Sequence, residues 1–347
     1  MIPLNAIDTV SLAMERTKRM LFRPLRFSLF WRMAVLGVFT GEMSSGGFPN
    51  FSSYRHQPSV SNAITHHLGL IIGIATVAAI LFFVFVYVAS ILHFVLFEAV
   101  LTGTTGIRQG WRRWRDRGRQ YFAFNLLMFV ITILIGAVVG VPAYVAYRAG
   151  VFSSAHLGLA VLVGAVLGSV GLFSFLVQAL IAIMTKDLVI PIMMLEGFNV
   201  FDGWHRAWPM IEAEGKRYAG FYGLKIVLRL AASLILGIAA IVIIFVLAIP
   251  FVIAAVVGAA AIKGAASGAI LVGFLVMLAV VVLVCLTVAG VAILGTPIAV
   301  FFTSYTLQFF GSRYEPLRVL VYPEPPPMPP PIAPIMPIAP VPPPVGA

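Results

Sequence analysis

The stretch from Lys186 to Arg217, KDLVIPIMMLEGFNVFDGWHRAWPMIEAEGKR, gathers Asp187, Glu196, Asp202, Glu212 and Glu214 between two long apolar runs. Paired carboxylates such as Asp187 and Glu196 are raw material for general acid–base work. That chemistry also needs a nucleophile or a phosphate-cradling loop, and neither accompanies them. The spacing therefore favours topological anchors bridged to Arg or Lys. His56, His66 and His67 carry imidazole, a metal-binding group, but lack a carboxylate or Cys partner and regular spacing, so no metal and no cofactor is expected. Cys285 stands alone in an apolar run, which excludes a disulfide framework.

Cations offer a different chemistry, the recognition of anions. Lys225 and Arg229 stand four apart on one helical face where an apolar run begins, and a basic pocket between helices can hold a lipid phosphate. The alternative is that both reach out to the headgroups. Arg108, Arg112, Arg113, Arg115 and Arg117 interleave with Trp111 and Trp114 in RQGWRRWRDRGR, a pattern expected on an anionic inner leaflet. Nucleic acid is not the expected partner, because no recognition fold accompanies the charge. In the central stretch, Asn199 or Asp202 can cap a helix with Val200, Phe201, Trp204, Ala207, Trp208 and Ile211 on its apolar face and Pro209 near its end. Trp111, Trp114, Trp204 and Trp208 are expected as interfacial anchors, and His93 as hydrogen-bonded packing inside a span.

The elements that must position these residues are membrane helices. Hydrophobic residues make up 61% of the 347, charged residues 10%, and mean hydropathy is +1.04, which leaves too little charge to cover a soluble surface. Apolar runs exceed the roughly 20 residues that cross a bilayer as a helix, and no alternating ten-residue segments suggest a barrel. The expected fold class is an all-α integral membrane protein, a six-helix bundle with amphipathic interfacial helices.

Residues 1–26 are expected to form an amphipathic cytoplasmic segment lying on the membrane, with no cleavable leader. The helical domain covers 27–310, with spans at about 27–43, 68–97, 121–147, 157–184, 225–257 and 270–297 and cytoplasmic loops at 99–120 and 185–217. Residues 323–347 form a Pro-rich tail with 13 prolines before Val345, too poor in donors and apolar mass for a core and expected disordered. Of 23 basic residues, this threading leaves only Arg55, Arg148 and Lys263 outside and Arg32 within a span, so both termini are expected in the cytoplasm. Gly136 and Gly140 fall at the same depth as Gly164 and Gly168, so these GxxxG pairs are expected to face each other.

The stretches SILHFVLFEAVLTGTTGIRQGWRRWRDRGRQYFAFNL (90–126), TKDLVIPIMMLEGFNVFDGWHRAWPMI (185–211) and AIDTVSLAMERTKRMLFRPLRFSLFWRMAVLG (6–37) carry a resemblance. Together they resemble a family of uncharacterised prokaryotic multi-pass membrane proteins, akin to the membrane domain fused ahead of some glycerophosphodiesterases. The likeness implies a six-helix bundle in the inner membrane and brings no catalytic residue, since the phosphodiesterase barrel has no counterpart here. The expected function is a non-enzymatic scaffold or accessory protein with a lipid-facing cytoplasmic collar. A protein partner would meet it through 185–217 or the tail. The alternative is a transporter or lipid-translocating protein.

Overall fold

The computed structural model describes residues 4–22, 27–42, 68–103, 106–151, 157–261 and 266–322. Every regular element in them is helical: α1 (Ala6–Phe22), α2 (Phe27–Phe39), α3 (Leu68–Thr102), α4 (Ile107–Arg148), α5 (Leu157–Met184), a π-turn (Thr185–Val189), α6 (Ile190–Glu196), α7 (Val200–Ala213), α8 (Gly215–Ala261), α9 (Ala266–Gly311) and α10 (Glu315–Val321). Five of these stretches are long and apolar enough to cross a membrane: Ile72–Thr102, Ile107–Arg148, Gly158–Glu196, Gly215–Val252 and Phe274–Gly311. These helices mark the chain as a membrane protein. The tail, the histidines 56, 66 and 67, and residues 43–67 lie outside the described residues.

The core sits at one end of the bundle. It is built from α1, the last turns of α3, the first turns of α4, the π-turn with α6 and α7, the start of α8, the end of α9, and α10. Its centre is aromatic: Phe221 stacks on Tyr305 and Phe309 with ring centroids 4.8 and 4.1 Å apart. Beyond this head the helices bury little. In α4, α5, α8 and α9 the most apolar window buries 6% of its residues or fewer, against 44% in α3. The four form two antiparallel hairpins, α4 with α5 and α8 with α9, joined through α3 and α2.

Hydrogen bonds gather both ends of the described chain into the head. Arg16 donates to the Val100 and Leu101 carbonyls at 3.0 and 3.1 Å, Tyr305 to that of Ala6, and Arg313 to that of Leu4. With 35 residues, α3 is about 52 Å long, so Leu68 stands at the far end of the bundle. Helix α2 is no full crossing: its 13 residues rise about 20 Å, short of a 30 Å hydrocarbon core. Glu42, just past it, is held back by Lys186 and Arg229 of the head.

Three expectations change. The Arg-rich stretch is no leaflet-lying loop but the first turns of α4, which runs unbroken for 42 residues. About 27 Å of helix separate Arg108 from Leu126, the first large exposed apolar side chain of α4. Trp111 and Trp114 pack on α3 instead of anchoring at the interface, against Tyr87 and Phe94. Helix α1 turns its small stripe Thr9, Ala13, Thr17 and Leu21 to the head and leaves Ile7 and Met14 outside.

The GxxxG pairs do not face each other. A Cβ on Gly136, Gly140 or Gly168 would meet no atom within 4 Å, and Gly164 is exposed. The hairpin instead closes at Gly171, where a Cβ would lie 3.8 Å from the Val139 side chain, and through a hydrogen bond from Thr132 to Gln178. Equal depth did not determine the rotation of the two helices about their axes. The glycine that matters for approach is Gly118, where a Cβ would come within 2.9 Å of the Ile91 Cα. Gly118→Ala is expected to cost about 1–3 kcal/mol through overpacking and to lower the melting temperature of detergent-purified protein. Gly136→Ala, with open space around it, should leave that temperature unchanged or raise it through better helix propensity.

Candidate functional site

The charges that sequence analysis placed apart meet where the head joins the apolar helices. At the end of α5 the helix widens for five residues into the π-turn, a feature often found at functional sites, which buries Thr185, Asp187, Leu188 and Val189. The Trp204 indole donates to the Thr185 hydroxyl at 2.9 Å and ties α7 to this turn. Asp187 thereby faces Lys225 on α8. The Lys225 Nζ donates to both Asp187 carboxylate oxygens at 2.7 Å and to the Thr306 hydroxyl of α9 at 2.9 Å. Both charged side chains are at most 5% exposed, so three donors of one ammonium are spent inside the protein.

A second set lies beside the first. Glu42 accepts ion pairs from Lys186, which directly precedes Asp187, and from Arg229, one turn beyond Lys225. The Arg229 guanidinium rests over the Phe302 ring at 5.2 Å. Three cations thus meet two carboxylates. Lys186 and Arg229 keep 17% and 25% of their side chains exposed, unlike Lys225. Around them stand polar atoms buried without a partner: Arg229 Nε, His93 Nδ1, Tyr222 OH and Ser304 Oγ.

The structure treats the anticipated site residues unevenly. Lys225 does not reach headgroups or lipid: its ammonium is consumed by Asp187 and Thr306. Arg229 keeps an open edge. Arg113 pairs with Glu98, and Arg117 donates to the Phe198 carbonyl at 3.0 Å. Arg108, Arg112 and Arg115 are exposed and, with Arg119, fall within one face of α4. Of the four tryptophans expected as anchors only Trp208 is exposed, as is Phe201 of the same helix α7.

Asp187 and Glu196 are no acid–base pair, for they face different partners. Asp187 takes Lys225, while Glu196 accepts from the Tyr314 hydroxyl and lies 3.7 Å from Arg206. Asn199 rather than Asp202 caps α7, accepting from the Asp202 amide at 2.9 Å, and Pro209 sits inside that helix without ending it. His93 packs against the Tyr121 ring edge with Nδ1 unbonded, so only the packing half of its expectation holds. Among the described residues no group of three His, Cys, Asp or Glu side chains could hold a metal.

Glu42 and Thr306 were missed. Glu42 is the one acidic residue between Glu15 and Glu98, a signal open to notice, but its partners lie far along the chain. Away from the membrane, Glu214 closes the head. Burial would raise its pKa, but the hydrogen bond and charge of Arg313, with Arg217, outweigh burial and hold the carboxyl below its usual range.

Removing one partner of a buried pair leaves the other charge unmatched. Asp187→Asn and Lys225→Met are each expected to destabilise the protein by about 3–5 kcal/mol, read as a fall in melting temperature. The double variant Asp187→Leu/Lys225→Met should recover much of the loss, because it removes both desolvated charges.

No curated protein and no solved structure matches the chain. A family model described as a family of unknown function, DUF7544, matches residues 4–320, nearly the whole length. The arrangement of head, hairpins and buried charges is therefore that of a member of this family, and the chain belongs to it.

Proposed function

We propose that the protein is a non-enzymatic membrane scaffold: its hairpins hold it in the bilayer, and its head, on the cytoplasmic face of a prokaryotic inner membrane, binds an anionic soluble partner. The observation that carries this reading is the division of burial. The packed core lies in the head, while four of the five long helices bury almost nothing in their apolar windows. A surface suited to the partner is the face of Arg108, Arg112, Arg115 and Arg119, which stands clear of the apolar zone on a straight helix. The positive-inside bias supports the orientation, and with both described ends in one head it calls for an even number of crossings.

Transport or lipid translocation is the second reading, favoured by the charges gathered at the head end between α5 and α8. Against it, the hydrocarbon-depth stretches of α4 and α5 pair through little polarity beyond Thr132 and Gln178.

Two measurements test the proposal. In a Cys285→Ser background, cysteine at Glu212 should stay protected from impermeant maleimide in intact cells, while cysteine at Ser153 should label. Labelling of the Glu212 position from outside would reverse the orientation. A photo-crosslinker at Arg115 should trap a discrete protein, lost on charge reversal of Arg112 and Arg119, whereas one at Val145 should trap lipid alone. Lipid scrambling or solute flux by the purified protein in liposomes would replace the scaffold reading with transport.

A further inference from the structure

The charges at the junction do not balance. Among the described residues Lys186, Lys225 and Arg229 pair only with Glu42 and Asp187, an excess of one positive charge in a place largely shut from water. A net charge so placed is costly unless an anion offsets it. The excess is also localised. Lys225 is enclosed with Asp187, so the unmatched charge belongs to the set where Lys186 and Arg229 share the single carboxylate of Glu42. These two cations alone in the cluster keep an open edge, and Arg229 Nε has no acceptor. The Phe302 ring lies 5.2 Å from the guanidinium carbon, a cation–π contact, and a guanidinium is suited to forked donation to a phosphate.

Position selects the source of that phosphate. Lys186 directly follows the apolar run of α5, and Arg229 opens that of α8, so both stand where a leaflet's phosphates lie. Above them α5 and α8 are not packed on each other. The contact stripe of α5 faces α4 through Gly171 and Val139, and that of α8 faces α9, where Gly290 meets Ile243. Leu176 and Leu180 on α5, and Leu230 and Leu234 on α8, are exposed on the apolar side of the two cations, on faces of their helices that the hairpin contacts leave open.

We infer that Lys186 and Arg229 hold the phosphate of an anionic phospholipid of the adjoining leaflet, whose acyl chains lie between α5 and α8. Glu42 is then the lipid's competitor: it holds the two cations in place and takes part of their charge. The inference rests on the head standing at a leaflet border, as proposed above, but not on which face of the membrane that is or on any protein partner.

The test uses the full chain in nanodiscs of phosphatidylcholine with a minor share of phosphatidylglycerol, bound lipid being counted by native mass spectrometry. Lys186→Gln and Arg229→Gln should each lower retained phosphatidylglycerol about tenfold, the worth of one charge-assisted contact. Glu42→Gln should raise it, since the excess charge becomes two and the donors are freed. Lys216→Gln, at an exposed cation outside both the cluster and the arginine face, should leave it unchanged. A phosphatidylglycerol bearing a photoreactive acyl chain should crosslink to residues 172–184 and 226–238.

Opposite signs separate this site from a merely structural cluster. If Glu42→Gln lowers retention as the cation variants do, the cluster only supports the fold and the inference fails. Should Arg229→Gln not fold, the comparison of Lys186→Gln with Glu42→Gln decides. Displacement of the lipid by inorganic phosphate would reveal a free-anion site instead, and an equal loss in Lys216→Gln would reduce the effect to general attraction. Crosslinks scattered away from α5 and α8 would refute the leaflet border itself, whichever headgroup is preferred.

Discussion

An ammonium and a carboxylate cannot enter a low-dielectric interior singly, and the architecture of this protein follows from where it pairs them. Asp187 and Lys225 come from helices that do not pack on each other in the apolar zone, so their bond joins the two hairpins at the head end. For that bond to form, α5 must turn Asp187 inward, which the π-turn does by widening the helix over five residues. Helix α9 must bring Thr306 as the third acceptor, and the stacked rings of Phe221, Tyr305 and Phe309 must exclude water around it. The pair is not a source of net stability so much as a constraint on everything built around it, since either charge alone would be prohibitively costly.

The hairpins obey a different rule. Surrounded by chains as apolar as their own side chains, they gain nothing from the hydrophobic effect by touching, and they associate through one contact stripe each. In the proposed placement the head has water around it and so assembles a conventional core. There one chain uses two solvents. The same helices carry both regimes, and α4 passes from an arginine-lined soluble rod to a lipid-exposed one without a break.

Much of this was legible in the sequence, because membrane helices announce themselves by length and apolarity, and the five long ones lie where hydropathy puts them. A cap at Asn199 or Asp202 was legible too, since a side-chain oxygen before an apolar face is a local signal, but the choice of Asn199 came from the structure. What was hidden is non-local. Glu42 and Arg229 are 187 residues apart and Lys225 and Thr306 81, and no periodicity reports such meetings. The arginine run read as a loop because charge density suggests one, yet arginine is a good helix former, Ile107–Arg119 holds no proline, and its two glycines, Gly110 and Gly118, sit where α3 packs closely. The glycine pairs misled for the opposite reason: their spacing was right for contact, but the direction each helix faces is decided by all its neighbours together.

The clasp between the two ends of the described chain has a consequence for biogenesis. Tyr305 and Arg313 bond the carbonyls of Ala6 and Leu4, so the head takes elements from the first and the last parts of the chain. Spans enter the bilayer one by one as the ribosome delivers them, and each leaves its share of the head waiting beside the membrane. Asp187 is then made before Lys225, and Lys225 well before Thr306. The nascent protein therefore passes through a stage in which its spans are inserted but their charged ends are unmet, and only the arrival of α9 ends it. Integration and folding are separate events in this chain, and the interval between them is when it depends most on the cell's chaperones and is most open to its proteases.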